Sequence, residues 1–123
     1  MSLSWALGAL ASVLLCLGHL WFGLIAYLGS FGSGGPWWAF AFPAILLAQA
    51  GLCLARAAGW LQGRPLILAA AVAVLTVAHA AVATVAWPNY SPYLWILWIG
   101  PVPMLIPALI QFAAGAIRRT HSP

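Results

Sequence analysis

Apolar residues run along this chain in blocks longer than a soluble core needs, and only a few short polar stretches interrupt them. The blocks lie at about 3–28, 38–62, 66–87 and 93–117. A helix rising 1.5 Å per residue crosses a hydrocarbon layer of about 30 Å with about 20 apolar residues. Each block is therefore expected to be a transmembrane helix. No Lys or Arg precedes the first block, and its apolar run exceeds the roughly 7–15 residues of a signal-peptide core. It is expected to be a retained helix.

The breaks between blocks are turns. "GSFGSGGP", Gly29 to Pro36, is rich in glycine and serine, which admit many backbone conformations and offer little to pack. In "QGRP", Gln62 to Pro65, Gly63 suits the end of one helix and Pro65 the start of the next. "WPNYSP", Trp87 to Pro92, carries prolines that stop a helix from running through. None of these connections is long enough to hold an extramembrane domain. The expected fold is all-α, a single transmembrane domain over residues 1–123, arranged as an up-down four-helix bundle. Helix four contains Pro101, Pro103 and Pro107, and a kink or break is expected near them because each lacks an amide donor.

Within the blocks, polar and small residues fall on one side. In the first, Gly8, Ser12, Cys16, His19, Gly23 and Ala26 recur at spacings of three and four, opposite Leu10, Leu14, Leu17, Leu24 and Leu28. Gln49, Cys53 and Arg56 form a similar seam in the second block. Ala69, Ala73, Thr76, Ala80 and Ala83, with His79 beside them, do so in the third, and Pro107, Gln111, Gly115 and Arg118 in the fourth. Such seams are what helix contacts in lipid select, because close approach and hydrogen bonds replace the missing hydrophobic drive. Gln and Arg stand seven residues apart both in Gln49/Arg56 and in Gln111/Arg118, each pair following a histidine. That is a weak internal repeat of two hairpins.

Charge settles the expected topology. The chain has four Lys plus Arg residues and no Asp or Glu. Arg56 and Arg64 flank the second turn, and Arg118 and Arg119 follow the last helix. With four spans these lie on one face, which the excess of cations marks as cytoplasmic, with both termini inside. Tyr27, Trp37, Trp38, Trp87, Tyr90, Tyr93 and Trp95 gather at the opposite ends as an interfacial aromatic belt. Arg56, Arg64, Arg118, Arg119, Gln49 and Gln111 are the expected contacts to lipid or partner subunits. So few cations, without stacking groups in water, do not make a nucleic-acid surface. Because Arg56 lies inside the end of its helix, it either snorkels to the surface or points inward. An inward Arg56 needs a carbonyl, an anionic lipid, a cofactor carboxylate or an acid from another subunit.

The absence of acids also removes whole classes of chemistry. There is no carboxylate for general acid–base work, for Mg²⁺ or Ca²⁺, or for the proton relay of a coupled antiporter. No phosphate-cradling loop and no nucleophile with its base can be assembled. Autonomous catalysis is not expected, and no soluble substrate is evident.

The buried histidines carry what candidate chemistry remains. Counting along the helices puts His19 and His79 about 24 and 20 Å from their cytoplasmic starts. In an up-down bundle they sit at similar depth on diagonal helices, where the imidazoles are expected to face each other. Three roles compete. Each His can hydrogen-bond a neighbouring helix through Thr76, Thr84, a Gln amide or a carbonyl. One or both can ligate haem b or a chlorophyll-type pigment. Cys16 and His19, one turn apart, can join Cys53 in a soft-metal site. The two cysteines lie within helices, where a structural disulfide is not expected.

The resulting expectation is an accessory or structural subunit of a larger membrane-embedded, bioenergetic complex that packs against partner helices and lipids. The alternatives are a haem- or pigment-binding electron-transfer or light-harvesting component using His19 and His79, and a small permeation protein gated at the Pro101–Pro107 segment.

Overall fold

The apolar blocks form helices α1 (Leu3–Gly29), α2 (Trp38–Ala57), α3 (Pro65–Ala86) and α4 (Val102–His121). A computed structural model of the protein describes residues 2–29, 38–86 and 99–121, with side chains over 2–21, 40–85 and 99–117, and these residues contain no strand. Leu3–Trp21, Phe40–Ala57 and Pro65–Val85 are long and apolar enough to cross a membrane. The apolar part of α4, Val102–Ile117, is shorter and measures about 24 Å along its axis. The side chains of the interfacial aromatics named above, the segments 30–37 and 87–98, and the side chains of Arg118 and Arg119 lie outside what is described.

Two helix ends differ from expectation. Helix α2 stops at Ala57 rather than near residue 62. The Trp60 N–H donates to the Ala55 carbonyl (3.0 Å) and the Gly59 N–H to the Arg56 carbonyl (3.1 Å), with Gly59 at φ 97°. This pair of bonds around a left-handed glycine closes a helix by satisfying its last carbonyls. Gly63, at φ 80°, instead serves the turn into α3, where Pro65 takes the first helical position as expected. Helix α4 begins only at Val102, after a turn over residues 99–101. Pro101 and Pro103 thus stand at its entry, where a missing N–H leaves no intrahelical bond unmade, and Pro107 lies inside.

Helix α1 runs antiparallel to α2 and to α4 along their contacts. The Ser2 N–H donates to the Ala57 carbonyl (3.2 Å), while further up α1 Ser12 meets Gln49 and Cys16 meets Pro43. Trp5 reaches Gln111, and Gly8 abuts Pro103. All four helices contribute to one buried cluster of Trp5, Ala9, Cys53, Ala57, Leu68, Val72, Met104 and Ala108.

The α1 seam is buried at Gly8, Ser12, Cys16 and His19, with Leu10, Leu14 and Leu17 exposed. On α3 the inward face is shifted by one residue from the alanine stripe. Leu68, Val72, His79 and Ala83 are buried, whereas Ala73 is exposed. Bulk drives this shift, since Leu68 and Val72 fill space between helices that alanine leaves empty.

Candidate functional site

The histidine layer is built by three helices. Helix α1 carries His19 one turn beyond Cys16, α3 carries His79, and α2 brings Phe42 against both. His19 is 3% exposed, and Phe42 and His79 are 0% exposed. The Phe42 ring stacks on His19 at a centroid distance of 5.1 Å and 25°, and meets His79 at 5.1 Å and 53°. Both imidazoles are thus brought to one place in the bundle, each in contact with the same apolar ring. Gly100 closes the other side of His79, so tightly that a Cβ added there would collide with the imidazole.

Polar groups around this layer link the helices. Gln49 donates both amide hydrogens, to Ser12 Oγ (2.9 Å) and to the Gly100 carbonyl (2.8 Å). That carbonyl precedes α4, and the Met104 and Leu105 N–H groups bond Pro101 instead. The Cys16 thiol donates to the Pro43 carbonyl (3.3 Å), and Cys53 interacts with Ser12. Thr76 and Thr84 donate to carbonyls of their own helix, Val72 and Ala80, both at 2.8 Å. They are thus not the expected partners of the histidines. Neither ring nitrogen of His19 has a hydrogen-bond partner among the described residues.

These placements decide what the layer can hold. Cys16, His19 and Cys53 are not brought together, and no group of three metal-ligating side chains exists among the described residues. The two thiols are turned to separate neighbours, Pro43 and Ser12. Both imidazoles are buried against the Phe42 ring, so ligation of a tetrapyrrole would require that packing to open. The proline segment at the α4 entry meets α1 at Gly8, beside a cleft of about 320 Å³ lined by Ser4, Leu7, Val102, Pro103, Ile106 and Pro107 among others. Pro107 has no N–H for the Pro103 carbonyl, four residues before it, and that oxygen is directed at Gly8, where a Cβ would clash. Close Cα–H···O approach over a glycine is a familiar helix contact in lipid.

A second polar group lies near the start of α1. Gln111 Oε1 accepts twice, from the Trp5 indole N–H (3.0 Å) and from Arg56 Nε (3.1 Å). Arg56 therefore points inward, in the last turn of α2, whereas Arg64 is exposed. Phe42, Gly100 and Trp5 are the site residues that spacing arguments miss. Trp5 alone carried a usable signal, since a buried indole N–H has to find an acceptor. No protein-family model, no curated protein and no solved structure matches this chain.

Proposed function

We propose that this chain is a structural subunit of a larger membrane-embedded complex, folded as an up-down four-helix transmembrane bundle with both termini on the cytoplasmic side. The observation that carries the reading is the filled histidine layer. The Phe42 ring packs against both buried imidazoles, and the neighbouring amide and thiol groups bond from helix to helix. Buried polar residues used in this way are contacts, worth about 0.6–2 kcal/mol each in lipid. What remains for function is the outside, which displays large apolar side chains on every helix, Trp21, Leu47, Val77 and Leu109 among them.

Sidedness draws support from the contacts Ser2–Ala57 and Trp5–Gln111, which gather the start of α1, the α2–α3 turn and the later part of α4 at one end. Arg56 and Arg64 lie at that end, and an excess of cations favours the cytoplasmic face. Native electrophoresis of membranes solubilised in mild detergent tests the proposal. The chain is expected to migrate in a large assembly with stoichiometric protein partners. Migration as a lone monomer under conditions that preserve other complexes refutes it.

A further inference from the structure

Beside Gln111 the helices part to leave a cleft of about 460 Å³, lined by Arg56, Gln62, Gly63, Pro65, Gln111 and Gly115 among others. Arg56 lies in its wall, and its Nε bond to Gln111 is the guanidinium's single hydrogen bond among the described residues. Gln111 is itself held by the Trp5 indole. Fixing Nε fixes the guanidinium plane, so the terminal amino groups are presented in a set direction. A planar fork of donors held this way matches the oxygens of a phosphate.

Two further observations point to an anion from outside the chain. With no Asp or Glu in the sequence, no acidic side chain of the protein can neutralise Arg56, and a cation at the edge of the apolar layer demands a counter-charge. The cleft also has room for one. A Cβ added at Gly63 or at Gly115 would find nothing within 4 Å, in contrast to the collisions at Gly8 and Gly100. Past Pro65 the surface continues into exposed Leu66 and Ile67, an apolar continuation suited to an acyl chain.

We propose that this cleft binds a phosphate-bearing anion through the Arg56 guanidinium. A phospholipid headgroup and free phosphate share that chemistry. A concave site of this size next to exposed apolar residues favours either over a single partner carboxylate. The proposal is independent of membership in a complex and is tested on the purified full-length chain.

Native mass spectrometry in mild detergent, with phosphatidylglycerol and phosphatidylcholine of matched acyl chains in competition, reads the site directly. The wild type is expected to retain phosphatidylglycerol about tenfold better, as one charge-assisted hydrogen-bonded contact allows. Arg56→Gln is expected to abolish that preference, and Arg64→Gln to leave most of it. Gly115→Leu fills the cleft without changing charge and should also lower retention, which keeps the test decisive if Arg56→Gln fails to fold. Displacement of the lipid by millimolar inorganic phosphate assigns the site to the phosphate group itself, and resistance to displacement assigns it to the headgroup. Equal retention of the two lipids by wild type, or a preference unchanged in both the Arg56 and the Gly115 variants, overturns the proposal. So does loss of a partner protein in Arg56→Gln while lipid retention is unaltered, which identifies a partner carboxylate instead.

Discussion

Gln49 and Gln111 are the same residue at matched points of two helices, yet they behave as opposites. Gln49 is fully buried and works as a donor, tying Ser12 on α1 to the Gly100 carbonyl ahead of α4, while its own Oε1 has no hydrogen-bond partner. Gln111 is half-buried and works as an acceptor, collecting the Trp5 indole and Arg56 on one oxygen. Around Gln49 the space is filled by Phe42, Leu46 and Gly100; around Gln111 it opens into the cleft. An amide in a dry, packed place is a joint between helices, and the same amide beside a reachable cation aims that cation outward.

The contrast can be broken or sharpened by substitution, with unfolding followed by denaturant titration in detergent. Phe42→Ala should be the most damaging, removing a fully buried ring that packs on both histidines at a cost of about 3–5 kcal/mol. Gly100→Ala drives a methyl into the His79 ring, and an overpacked core of this kind loses about 1–3 kcal/mol. Gln49→Leu leaves the Gly100 carbonyl without its donor and should lose about 1–2 kcal/mol. Trp5→Phe removes the pyrrole part of a buried indole together with its bond to Gln111, for about 1 kcal/mol. Gly115→Leu, facing open space, should stay within about 0.5 kcal/mol of wild type. If Gly115→Leu proves as damaging as Gly100→Ala, the division into a filled layer and an open cleft is wrong.

The helices were legible because a run of apolar residues has few alternatives in lipid. The α1 face was legible too, because Gly8, Ser12, Cys16 and His19 mark it against leucines. The α3 face was not. Its small residues occur on several sides, and the bulk of Leu68 and Val72, rather than the alanine stripe, sets which side turns inward. The end of α2 was misplaced because Gly59 and Gly63 are equally good helix terminators in sequence, and which of them closes the helix is fixed by where the chain must turn. Phe42 looks like any other apolar residue in its block, so its contact with two histidines on other helices appears only when three helices are assembled. Arg56 was expected either to snorkel or to need an acceptor, but that Gln111 would supply it, shared with Trp5, depends on how α4 lies against α1.

The central proposal is that His19 and His79, both packed on Phe42, act as contacts between helices rather than as ligands of a pigment or haem. The optical absorption spectrum of the protein purified from its native membrane, wild type against the His19→Leu/His79→Leu double variant, tests it most directly. The two spectra are expected to coincide. A Soret or chlorophyll band present in the wild type and absent from the double variant would contradict the account.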